Sequence, residues 1–224
     1  MKIIKLIGEI NLLSGLHIGG GDDTMKIGGI DNGVIKNVNS DDDPYIPGSS
    51  LKGKMRSLLE WDSGVVNLQK DKKDEEGKPL TSKHIFKEDG SFHDVAYESK
   101  ELLEKAETLL KLFGDKEGRY GITRISVGDC SLVKNGLKTS EAKYENVIDR
   151  QKGTAEHPRQ IERVPAGVSF SYDIRLKVLN DNEEESLKAM IKRGMELVEN
   201  DYLGGSGSRG YGRVSFSNKS EWVE

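Results

Sequence analysis

The stretch VSFSYDIRLKV (168–178) alternates without a break. Val168, Phe170, Tyr172, Ile174, Leu176 and Val178 fall on one face, and Ser169, Ser171, Asp173, Arg175 and Lys177 on the other. A period of two over that length is the pattern of a half-buried strand. An acidic turn follows, and then an amphipathic helix from 183 to 200 with Leu187, Met190, Ile191, Leu197 and Val198 on its apolar stripe. Its early glutamates suit the positive end of the helix dipole. The glycine-rich DYLGGSGSRGYGR (201–213) leads from that helix into a last short strand at 214–216. The N-terminus repeats the strand pattern over 2–13, with Ile4, Leu6, Gly8, Ile10 and Leu12 facing one way. A helix over 49–60 carries Leu51, Met55, Leu58 and Leu59 at helical spacing, and ITRISV (122–127) reads as another strand. Ser99 caps a further helix that Gly114 ends. With polar insertions at 62–97 and 134–164 set aside, the order is strand, helix, strands, strand, helix, strand. That is the split β-α-β pattern of an α+β, ferredoxin-like domain, the architecture RNA-recognition domains use to bind single strands on the sheet and its flanking loops.

The glycine loop is the first candidate for chemistry. Five glycines fall between Gly204 and Gly212, with Ser206, Ser208, Arg209 and Arg213 among them. Consecutive backbone N–H groups in such a loop can form a concave anion site, and arginine adds a planar fork for phosphate. It is not a Walker loop, because no Gly-Lys-Ser/Thr follows. It is not the dinucleotide fingerprint, because the helix precedes the glycines. The plain alternative is a flexible connection. The second candidate is IPGSSLKGKMR (46–56). Ser49 or Ser50 can cap the helix, and Lys52 and Arg56, with Lys54 between them, place cations on its first turns. That is either a phosphate seat or an ordinary solvated helix.

The chain has 224 residues, 34% hydrophobic and 32% charged, enough for one domain with a real core. Net charge is −4, which argues against a generally basic nucleic-acid binder. Base is nevertheless concentrated at Lys52–Arg56, at Arg159 and Arg163, and at Arg209 and Arg213, and the local field decides where a polyanion docks. The single cysteine, Cys130, and the lack of any long apolar run fit a soluble, intracellular protein that uses no membrane. His17 could act as a ligand or a base, and a histidine held near the sheet by hydrogen bonds is the plainer reading. His84 and His93 have no nearby cysteine, which argues against a zinc site. Asp31 lies in a glycine-rich turn, where an aspartate ordinarily hydrogen-bonds its own backbone.

GLHIG (15–19), GID (29–31), IPGSSLKGKMR (46–56), LFG (112–114), ENVIDR (145–150), PRQIER (158–163) and DYLGGSGSRGYG (201–212) occur in that order. Together they resemble the repeated backbone subunits of type III-A CRISPR (Csm) effectors, members of the RAMP superfamily. The resemblance spans nearly the whole chain apart from 62–97. It implies an RRM-like palm and residues 134–164 as a thumb-like arm; the charged stretch 62–97 departs from the family and reads by composition as a mobile, lid-like surface insertion. The resemblance implies copies stacked in a filament along a CRISPR guide RNA, beside other Csm subunits in the cytoplasm. Asp31 would cut the paired target RNA, with a divalent metal, expected to be Mg²⁺, that Asp31 itself could ligate. His17, Ser49, Ser50, Lys52, Lys54, Arg56, Arg159, Arg163, Gly204, Gly205, Ser206, Ser208 and Arg209 would contact RNA. RNA can be cut by its own 2′-hydroxyl when attacking and leaving oxygens are held in line, so one carboxylate suffices if the strand is distorted. Two rivals share the basic residues: a purely structural RNA-binding subunit, and a guide-processing endoribonuclease using His17.

Overall fold

A computed structural model describes residues 1–20, 33–40, 42–69, 77–87, 90–93 and 99–224. Its centre is β1 (Lys2–Leu12), whose alternation buries Ile4, Leu6, Ile10 and Leu12. Along one edge β1 pairs antiparallel with β8 (Ser169–Val178), in a register that runs from Lys2 opposite Val178 to Asn11 opposite Ser169. Along the other edge, β9 (Val214–Phe216) takes the end of β1, and β10 (Trp222–Val223) takes Lys5 and Leu6. β4 (Ile125–Val127) and β5 (Ser131–Leu132) close the sheet beyond β8. The last strands therefore lie beside the first, as a ferredoxin-like order requires. Gly8 stands opposite Tyr172, and a Cβ there would come within 2.6 Å of the phenol oxygen.

Among the described residues, three α-helices pack together over one face of this sheet. They are α1 (Gly48–Asp62), α2 (Lys100–Phe113) and α3 (Glu184–Asn200). Leu51, Met55 and Leu59 meet Leu187, Ile191, Met195 and Val198 in one apolar cluster, joined by Ala106, Leu109, Leu110 and Phe113. Burial of each large apolar side chain contributes about 1.5–3 kcal/mol. Gly194 lets α1 and α3 approach, since a Cβ there would lie 3.0 Å from Leu59 and 3.1 Å from Met55. The opposite face is open. In-register neighbours share a face, so it carries Ile3, Lys5, Ile7 and Glu9 from β1 and Ser171, Asp173, Arg175 and Lys177 from β8. Ser126, Ser131, Ser215 and Val223 extend it, and no described aromatic side chain stands on it. The described sheet therefore lacks the stacking platform that RNA-recognition domains of this architecture use.

Ser99 caps α2 as expected, its Oγ accepting from the Leu102 N–H at 3.2 Å, and Gly114 ends the helix at a φ of 99°. The cap on α1 is a correction. The helix starts at Gly48, and neither Ser49 nor Ser50 caps it. Asp129 does so from 81 residues away, its Oδ1 accepting the Gly48 N–H at 2.8 Å. Ile46 and Cys130 exchange backbone hydrogen bonds of 3.0 and 2.8 Å, which bring Asp129 into place. A Cβ on Gly48 would sit 2.2 Å from the Val127 carbonyl oxygen, so only glycine fits.

Residues 134–164 form a hairpin rather than a loop. β6 (Glu141–Ile148) pairs with β7 (Ala155–Arg163), with a register shift between Glu145 and Val147. Both faces are largely polar, so no buried stripe marked the strands. A short pair, β2 (Lys36–Asn37) and β3 (Asp43–Pro44), precedes α1. The insertion after α1 is not wholly a surface excursion, because Val65, Leu68, Leu80 and Ile85 join the main core.

That insertion is tied down by Arg56. Its Nε donates to Glu60 Oε1 at 2.8 Å, Nη2 to the Leu80 carbonyl at 2.6 Å, and Nη1 to the Gly114 carbonyl at 3.3 Å. The Leu80 N–H donates to the same Glu60 oxygen at 3.2 Å. Glu60 is 7% exposed, so removing its cation leaves a nearly buried carboxylate unpaired. Arg56→Ala should cost about 3 kcal/mol, read as a lower urea midpoint at unchanged slope. Arg56→Lys should not restore it, because one ammonium cannot span three acceptors set by a guanidinium fork. An unchanged midpoint in Arg56→Ala would show that this clasp contributes nothing, and one in Arg56→Lys that the cation alone suffices.

Candidate functional site

The glycine loop folds back onto the segment that leaves β1. The Gly205 N–H donates to the His17 carbonyl at 2.9 Å, and the Gly212 N–H to the Gly15 carbonyl at 2.9 Å. Gly212 has a φ of 71°, and a Cβ there would lie 1.9 Å from the Leu203 oxygen. Gly204, at a φ of 75°, passes the His17 oxygen with room for hydrogen only. The N–H groups of Leu203, Gly205, Arg209, Gly210 and Gly212 all find acceptors within the protein. These bonds let the glycines pack close to neighbouring backbone, while the consecutive N–H groups of Ser206, Gly207 and Ser208 at the tip make none of them. The loop offers its exposed side chains outward, Ser208 and Arg209 among them.

The hairpin base lies between this loop and residues 34–36. Register puts Glu141, Lys143 and Glu145 on one face with Arg163, Ile161 and Arg159 opposite them. That face meets the glycine loop. Arg163 bonds Glu141 at 2.6 Å and stands 5.3 Å from the centre of the fully buried Tyr211 ring, with Lys143 4.3 Å from the same ring. Glu145 Oε2 takes Arg209 at 3.0 Å and Arg159 at 3.4 Å. Burial alone would raise the Glu145 carboxyl. The neighbouring Tyr211 hydroxyl, Arg209, Lys143 and Arg159 outweigh it and hold the group below its ordinary value. The tyrosine contributes by proximity, since neither its hydroxyl nor Glu145 Oε1 completes a well-formed hydrogen bond.

The other hairpin face carries Glu162, which is 4% exposed. Its Oε2 accepts the Val34 N–H at 2.9 Å, and its Oε1 accepts Lys36 at 2.7 Å and Ser140 at 2.6 Å. Nothing in the local sequence singled out this glutamate, since its partners lie more than a hundred residues upstream and 22 residues away. Its own backbone oxygen accepts from His17 Nδ1 at 2.7 Å, which fixes the proton on that nitrogen. The hydrogen-bonded histidine of the sequence reading is the one observed.

Asp31 lies outside the described residues, but both ends of its segment are pinned. Gly19 bridges Val34, and the Ile35 N–H donates to the Ile18 carbonyl at 2.8 Å. Among the described residues no group of three or more His, Cys, Asp or Glu side chains could hold a metal ion. Glu162, the carboxylate at the root of the 21–32 segment, already has its oxygens engaged by Val34, Lys36 and Ser140.

Of the thirteen residues named for RNA contact, His17, Arg159, Arg163, Gly204, Gly205, Ser206 and Arg209 meet at one end of the sheet. Lys54 borders the group, paired with Asp201 at 2.7 Å and lying 3.7 Å from the Tyr202 ring centre. Lys52 does not join it. It points roughly 200° around the helix from Lys54. Burial, and then the charges of Arg56 and Lys177, hold its ammonium below the ordinary value. Arg56 is committed to its clasp, so the phosphate seat read on α1 is not assembled as expected. Ser49 and Ser50 begin α1 beside the Asp129 cap, apart from the hairpin.

Residues 9–215 match the RAMP superfamily. Two similar curated proteins both carry the description CRISPR system Cms endoribonuclease Csm3. The one from Enterococcus italicus is 38% identical over 95% of this chain and 89% of its own length. The one from Methanocaldococcus jannaschii is 39% identical over 96% of this chain and 78% of its own. The crystal structure of Methanopyrus kandleri Csm3 superposes with a TM-score of 0.56 at 25% identity, covering 96% of this chain and 75% of that one.

The Glu162 clamp makes a pH-dependent prediction. Burial pushes its carboxyl up, but Lys36, Ser140 and the Val34 N–H together pull it below its ordinary 4.5. A carboxyl that is more acidic folded than unfolded adds stability above its unfolded value and loses it as pH falls through the folded one. Glu162→Gln should therefore be most destabilising at neutral pH, and its difference from the parent should shrink on acidification below 4.5. Urea unfolding across that range checks this. A difference that stays constant would mean that the charge of Glu162 contributes nothing.

Proposed function

The chain belongs to the RAMP superfamily, with the Csm3 proteins of type III-A CRISPR systems as its relatives, and from that membership we propose that it is an endoribonuclease that forms the backbone of such an effector. Copies of it line a guide RNA in the cytoplasm, beside other Csm subunits, and each cuts the target RNA paired with that guide. The observation that carries this reading is the identity to proteins named endoribonucleases over nearly the full length of both chains. The geometry supports it. The cations Arg159, Arg163 and Arg209 gather between the hairpin and the glycine loop, beside the root of the segment that carries Asp31.

In this reading Arg159, Arg163, Arg209 and Ser206 hold guide phosphates, while the hairpin distorts the duplex. Glu162 and Ile18 fix the two ends of the Asp31 segment against the hairpin base. Asp31 accepts the proton of the attacking 2′-hydroxyl or ligates a Mg²⁺ ion that, when bound, would neutralise charge on the scissile phosphate. Specificity comes from guide pairing, so the protein contacts backbone and no base edges.

In the assembled effector, Asp31→Ala should lower target cutting by about 10²-fold or more while leaving guide retention and target binding unchanged. Cutting that persists would make this subunit a purely structural RNA binder. EDTA should abolish the parent's cutting and Mg²⁺ restore it. Cleavage in EDTA would remove the metal from the mechanism. A lone subunit that cut precursor RNA without metal would favour the His17 reading.

A further inference from the structure

We propose that Glu145 is a positioning residue that aims Arg159 and Arg209 at one phosphate of a bound RNA strand. The inference rests on the reading of this surface as the RNA-contact face. Both guanidinium groups converge on a single oxygen, Glu145 Oε2, at 3.4 and 3.0 Å. Arg159 comes from the hairpin, and Arg209 comes from the glycine loop. Without an anion between them the two like charges would separate. The exposures run in the right order. The glutamate side chain is 10% exposed, while those of Arg159 and Arg209 are 48% and 45% exposed. The anion therefore sits behind, and the cations keep part of their surface toward solvent.

Further contacts fix the arrangement. Arg209 Nη2 donates to Ser206 Oγ at 2.6 Å. Lys143 Nζ donates to the Arg209 carbonyl at 3.2 Å and stands 3.8 Å from Glu145 Oε1. A guanidinium presents five N–H donors, so one bond to Glu145 leaves others for a phosphate. Holding two flexible cations in place before RNA arrives removes an ordering cost that binding would otherwise meet. The Tyr211 hydroxyl and then Arg209, Lys143 and Arg159 outweigh burial and hold the Glu145 carboxyl below its ordinary value, so the anchor stays charged at neutral pH.

The test is one of sign. Deleting a negative charge beside a phosphate site should tighten RNA binding if charge alone matters. It should weaken binding if Glu145 orients the arginines. Fluorescence anisotropy of the full chain with a labelled single-stranded RNA of mixed sequence, across a KCl series, reads both. The double variant R159A/R209A should weaken binding by roughly 10-fold or more and flatten the salt slope by about one to two units. E145Q should weaken it roughly 3- to 10-fold, and E145D should fall between. Added to R159A/R209A, E145Q should have no further effect. Tighter or unchanged binding by E145Q, beside a weakened R159A/R209A, overturns the positioning role and leaves the RNA surface standing. No loss in R159A/R209A overturns both. Should E145Q not fold in a thermal melt, E145D alone decides by the same sign.

Discussion

β1 is paired along both edges, by β8 on one side and by β9 and β10 on the other, and most of the molecule follows from that. Because β9 pairs only with Ile10–Leu12, the chain entering β9 must arrive where the chain leaving β1 departs. The glycine loop therefore lands on Gly15–His17. Register is enforced by burial: a slip of one residue would turn Ile4, Leu6, Ile10 and Leu12 to the open face. The cavity-free fit of Gly8 under Tyr172 opposes the same slip.

The hairpin β6–β7 has almost no core of its own, and Ile161 and Glu162 are its fully buried residues. Two carboxylates hold its base, one on each face. Glu145 reaches the glycine loop, and Glu162 reaches Val34 and Lys36. Each is nearly buried and each is matched by cations, the condition under which a buried charge is tolerated. An arm without an apolar root can still project in one direction when ionic contacts bracket it. The same contacts bring the arm, the loop and the two ends of the 21–32 segment to one end of the sheet.

Much of this was legible from residue order. The alternating strands, the three helices and the glycine loop were marked by period and composition, because each buries a face of its own. Arg159, Arg163 and Arg209 stood out by residue type on two separate elements, and the fold brings those elements together. What stayed hidden depends on partners remote in sequence. Asp129 caps α1 from another element, and Arg56 turns inward to Glu60 and the Leu80 carbonyl. The Asp129 cap leaves no local trace, and although Arg56 and Glu60 stand one helical turn apart, the Leu80 carbonyl that turns Arg56 inward is remote. The hairpin strands were missed because both faces are mostly polar, so alternation carried no contrast. Glu162 was invisible for the opposite reason, being a polar residue in a buried place.

The open face of the sheet bears isoleucine, serine and charged side chains where a base-reading domain of similar architecture would place rings. Among the described residues no ring there can sandwich a nucleobase. For the function proposed, that indifference is an asset. Discrimination passes wholly to Watson–Crick pairing, so exchanging one guide for another would redirect the same polypeptide to a new transcript without a single substitution.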